Sequence, residues 1–174
     1  GDDQFATHTL ASGSIDFGGV SYTTVFIGAN GQITFGAGST DYTPSVSELF
    51  GGFQGGATST PNPGVATIWA DYCRFGVDDD ITVCESGLSS QPDVVISYNN
   101  QQHWDSATLA GSWSCSFTHD GNDDIVSIDL SNYRSHVVGV DKDPLVGVTD
   151  GDNTDGGVDS DFNLTTNNFY MTNA

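Results

Sequence analysis

Short runs in which apolar and polar residues alternate recur along this chain, separated by glycine, proline, asparagine and aspartate. Alternation at a period of two sets one face of a strand on a core and the other in water. Such runs fall at residues 4–10, 21–27, 32–35, 65–70, 81–84, 94–98, 113–118, 125–130, 137–140, 145–148 and 169–172. Asn30-Gly31 stands between the second and third, the strongest short-range signal for a β-hairpin. His119-Asp120-Gly121-Asn122 predicts a second hairpin, joining 113–118 to 125–130. One short helix is predicted. Pro44 precedes Ser45-Val46-Ser47-Glu48, a capping box, and the run ends at Phe50 before Gly51-Gly52. Residues 51–64, GGFQGGATSTPNPG, read as a surface loop. The pattern contains no internal repeat and no linker. The expectation is a single all-β domain over residues 1–174, an antiparallel, jelly-roll-like β-sandwich with at most one or two short helices.

Composition agrees with strands and adds large side chains for a core: 10 Phe, 6 Tyr and 3 Trp. Charge changes the picture more. Three basic residues face 23 acidic ones, a net charge of −20. That balance argues against nucleic acid and anionic membrane as partners, since both need Lys or Arg to neutralise phosphate. No stretch reaches the roughly 20 apolar residues of a helical membrane span. Only Glu48 and Glu85 are glutamates, so 21 of the acids are aspartates. Aspartate suits turns and offers oxygen to hard cations. A small domain with this much like charge repels itself unless counter-ions bind, and calcium is the expected cofactor.

The best local motif for it is DGDNTDGGVDSD, with Asp150, Asp152, Asn153, Asp155, Asp159 and Asp161 as candidate ligands around Gly156-Gly157. Their oxygens suit a cation that takes six to eight ligands, although the spacing is not that of an EF-hand. The plainer reading of such a run is a solvated acidic loop. Cys73 and Cys84 flank a second Asp-rich stretch. A disulfide there would close a short loop and contribute about 3 kcal/mol. Cys115 is left over, either as a buried free thiol or as a link to another chain.

Catalytic constellations are weak. His8, His103, His119 and His136 lack metal-ligand spacing, and there is no G-x-S-x-G turn and no phosphate-cradling glycine loop. No pair stands out among so many carboxylates for hydrolysis. The chain is therefore expected not to be an enzyme. One amide- and aromatic-rich stretch, residues 98–104, supplies candidate ligand-binding residues: Tyr98, Asn100, Gln102 and Trp104. Rings that stack and amides that hydrogen-bond suit a glycan or a peptide. An ordinary exposed strand end is the alternative. Trp69 and Trp113 sit in apolar runs and are expected in the core.

Three segments carry a resemblance: YTTVFIGANGQITF continuing into GAGSTDY at 22–42, ATIWAD at 66–71, and LVGVTDG at 145–151. In this order and spacing they resemble NIDO-like β-sandwich modules of large bacterial secreted and surface proteins. The likeness runs over roughly residues 3–151 and is specific at Asn30-Gly31, Trp69-Ala70-Asp71 and Gly147-Val148. The polar stretch 97–105 and the Cys73–Cys84 loop depart from it. The resemblance implies a non-catalytic extracellular module associated with adhesion or matrix, with no catalytic residues.

Two readings follow. In one the chain is a secreted structural or adhesive subunit of an extracellular fibre or surface assembly, associating with itself through strand edges or with other surface proteins. In the other it is a calcium-dependent module of a surface adhesin that holds a sugar or peptide. The first strand bears on the choice. Residues 4–10 lie near the N-terminus and carry no acid, lysine or proline to protect an edge.

Overall fold

The computed structural model describes residues 3–55, 58–73, 79–88, 91–104, 108–119, 124–134 and 144–149. In chain order the elements are β1 (Phe5–Thr9), β2 (Ile15–Phe17), β3 (Val20–Tyr22), β4 (Thr24–Gly28), β5 (Gln32–Thr34), α1 (Val46–Gly51), β6 (Phe53–Gly55), β7 (Thr58–Asn62), β8 (Gly64–Trp69), β9 (Tyr72–Cys73), β10 (Asp80–Leu88), β11 (Gln91–His103), β12 (Leu109–His119), β13 (Asp124–Asp129) and β14 (Leu145–Thr149). The fold is an antiparallel, all-β sandwich. One five-stranded sheet runs β1-β4-β5-β8-β14; the other is the meander β10-β11-β12-β13, with β9 paired to the far end of β11. The expected strands at 137–140 and 169–172 lie outside the described residues.

Alternation explains the second sheet directly. Along β12, Trp113, Cys115 and Phe117 turn inward while Ser112, Ser114 and Ser116 turn out. Val94, Ile96 and Tyr98 do the same on β11. In the core, Tyr98 stacks on Trp113, its partner on the neighbouring strand of the same sheet, with centroids 5.0 Å apart, and Phe17 of β2 stacks on Phe35 at 4.6 Å. β8 is buried along its whole length. Val65 and Ile68 join the main core, while Ala66 and Trp69 join a second cluster with Leu49 and Phe53.

That second cluster accounts for one departure from expectation. The Gly- and Pro-rich stretch after the helix is not only a surface loop: it forms the β6–β7 hairpin. Phe53 is fully buried against Trp69, and Asn62 Nδ2 donates to the Phe53 carbonyl at 3.1 Å. The helix follows its capping signal, with Ser45 as N-cap accepting from the Glu48 amide. Pro44 lies one residue before the cap. The strand expected at 21–27 is divided at Thr23, whose carbonyl accepts from the Leu10 amide. Val20–Tyr22 folds back on β2, and Thr24–Gly28 pairs with β1.

Candidate functional site

The turn at Asn30-Gly31 forms a structural hub. β4 and β5 are joined through Ala29, Asn30 and Gly31, and Gly31 takes φ +84° as the loop closes. Asn30 is buried. Its Oδ1 accepts from the Tyr72 amide at 2.9 Å and its Nδ2 donates to Asp3 at 3.0 Å. The Asn30 carbonyl accepts from Ala70, and the Gly31 carbonyl accepts from the amide and hydroxyl of Thr67. Thr67 Oγ1 in turn accepts from the Trp113 indole at 2.9 Å, and the Tyr98 hydroxyl donates to the Gly28 carbonyl. This one turn therefore ties both sheets together. Burial pushes the Tyr98 phenol and the Cys115 thiol well above their ordinary ranges, so both stay neutral.

Tyr98, Asn100, Gln102 and Trp104 do not form one surface. On a regular strand their even numbering would give them one face. However, β11 takes an extra residue between Tyr98 and Gln101, where Asn100 has φ +50°. The bulge reverses the alternation. Tyr98 is core, Gln101 and His103 are the buried residues beyond it, and Asn100 and Trp104 face outward, with Gln102 half-buried.

The expected Cys73–Cys84 disulfide is not formed: all three cysteines are free thiols, Cys84 exposed and the other two buried. The register gives the reason. Cys73 lies opposite Gln102 and Cys84 opposite Val95 on the same partner strand. At about 3.3 Å per residue they are roughly 20 Å apart, far beyond the reach of a bridge. The Cys73 thiol instead donates to the His103 carbonyl at 3.1 Å. The candidate calcium ligands, Asp150, Asp152, Asn153, Asp155, Asp159 and Asp161, lie outside the described residues. Among the described residues, no three His, Cys, Asp or Glu side chains gather as a metal site. A depression lined by Ile15, Asp16, Pro92, Phe117 and His119 holds about 20 Å³, room for a water rather than a substrate.

β1 presents an open sheet edge among the described residues. Leu10 donates to the Thr23 carbonyl and Ala29 donates to the Gln4 carbonyl. In the β1–β4 register this makes the even-numbered residues the hydrogen-bonded ones. Phe5, Thr7 and Thr9 therefore turn their N–H and C=O groups away from β4, and all three are exposed. β1 ends the sheet among the described residues, and none of its five residues is acidic. Phe5, 40% exposed, leans edge-on against Phe26.

The two sheets are clasped at this edge by a residue the sequence reading did not single out. Glu85 of β10 accepts from His8 Nε2 at 2.7 Å and from the Ala11 amide at 3.0 Å. The one available signal was its type, a long-reaching glutamate in a chain of aspartates. Comparison of the chain with protein-family models, curated proteins and solved structures finds no match.

Proposed function

We propose that this chain is a non-catalytic, secreted structural and adhesive subunit of an extracellular surface assembly, associating through strand edges and stabilised by calcium. The observation that carries the reading is the β1 edge: Phe5, Thr7 and Thr9 present backbone groups that no described strand pairs, without an acidic side chain to repel a partner strand. Soluble domains commonly blunt such an edge with lysine, proline or a bulge. A chain with a net charge of −20 that leaves this strand uncharged offers it as a contact. The resemblance to NIDO-like modules supports an extracellular setting. Assembly is favoured over sugar or peptide recognition, because the bulge at Asn100 separates Tyr98 from the other candidate ligand-binding residues.

A proline at Thr7 tests the reading. The Thr7 N–H points away from β4, so Thr7→Pro removes an outward donor and leaves the β1–β4 ladder intact. The variant should keep its fold, within about 1 kcal/mol in denaturant, and lose association in sedimentation analysis. Ala6→Pro, which removes an inward donor, should instead cost about 3 kcal/mol. A folded Thr7→Pro protein that assembles as the parent does contradicts the proposal.

A further inference from the structure

We infer that β1 pairs antiparallel with β1 of a second copy, about a twofold axis through Thr7. This rests on the edge-association reading and names the partner. The outward residues Phe5, Thr7 and Thr9 are spaced symmetrically about Thr7. Two such edges brought together antiparallel place Phe5 opposite Thr9 of the other copy, Thr7 opposite Thr7, and Thr9 opposite Phe5. Each of these pairs exchanges two backbone hydrogen bonds, about six in all.

The side chains fit the same register. Directly opposed residues project from the same face, so each exposed Phe5 ring covers a threonine methyl, with a threonine pair at the centre. Aromatic with β-branched and Thr with Thr are both favourable cross-strand pairs. Phe5, which packs on Phe26 and against Gly38 in the single chain yet stays 40% exposed, gains a further neighbour.

Charge selects a second copy at this edge. Two bodies that each carry −20 repel wherever carboxylates face one another. β10 carries Asp80 and Glu85, and β13 carries Asp124 and Asp129. β14 is uncharged but lies between Asp143 and Asp150 in sequence. β1 has no acid; Asp3, two residues before it, is turned onto Asn30, and Glu85, which reaches it from β10, is turned onto its own His8 and the Ala11 amide. The contact joins two five-stranded sheets into one and is closed, so growth beyond a pair uses another surface.

Single cysteines in a Cys84→Ser background test the register, using the full chain in millimolar calcium under mild oxidation. Thr7→Cys lies about 5.5 Å from its counterpart in the pair, within disulfide reach, and should give a linked dimer on a non-reducing gel. Thr9→Cys lies four residues from its own counterpart, roughly 13 Å, and should link at least tenfold less. A mixture of Phe5→Cys and Thr9→Cys chains should link. If Thr9→Cys links as well as Thr7→Cys, or if Thr7→Cys fails to link while the parent still associates, this pairing is overturned and edge association stands. A parent chain that is monomeric at every concentration overturns both.

Discussion

Glu48 and Glu85, the only glutamates among 23 acidic residues, each hold a specific position. Glu48 completes the cap of α1 with Ser45, and Glu85 clasps β1 to the second sheet. The three cysteines differ by environment rather than by pairing. Cys84 is exposed on β10, Cys73 is buried against the His103 carbonyl, and burial holds the Cys115 thiol protonated. A thiol reagent added to the native chain should therefore modify one cysteine quickly, Cys84, and reach all three only after unfolding. Fast modification of two in the native state, or of none with a Cys73–Cys84 bridge found by peptide mapping, would refute this. At this scale the sequence was a partial guide. The buried places of Trp69 and Trp113 follow from their apolar neighbours. The separation of Cys73 from Cys84 does not, because it depends on which rungs of β11 each one meets.

Among the elements, the turn at Asn30-Gly31 does the most. An added Cβ on Gly31 would lie 2.3 Å from the Ile68 carbonyl oxygen, at a φ of +84° that side chains rarely adopt. Gly31→Ala should destabilise by about 3 kcal/mol or more. Asn30→Ala, which leaves the buried Tyr72 amide without its acceptor, should cost about 1–3 kcal/mol. Denaturant titration reads both. A loss below about 0.5 kcal/mol for either would show that the turn is not the hub described. The long strands were legible because alternation persists over β11 and β12, and α1 because Ser45 and Glu48 stand at capping spacing. β2 and β3 were not, since three residues are too few to show a period and Phe17 is held there by stacking on Phe35. The β6–β7 hairpin was hidden by its glycines and prolines. The β11 bulge was invisible for a related reason: a single inserted residue reverses every later side chain without changing composition.

For the whole molecule the governing quantity is a net charge of −20. We propose that self-repulsion on that scale is relieved by bound calcium, with the aspartates from 150 to 161 as its ligands. Calcium that binds only the folded chain stabilises it by about 2.7 kcal/mol when it exceeds its Kd about a hundredfold. At this size that is a Tm increase of roughly 5–10 °C. A Tm unmoved by calcium or by a strong chelator would remove the cation from the account. The same charge makes an uncharged edge strand the natural place for two copies to meet, which is the central claim. The measurement that bears on it most directly is the native mass of the full chain in millimolar calcium, by light scattering across a wide concentration range. The account predicts multiples of 18.3 kDa that grow with concentration. A constant mass of 18.3 kDa at every concentration would contradict it.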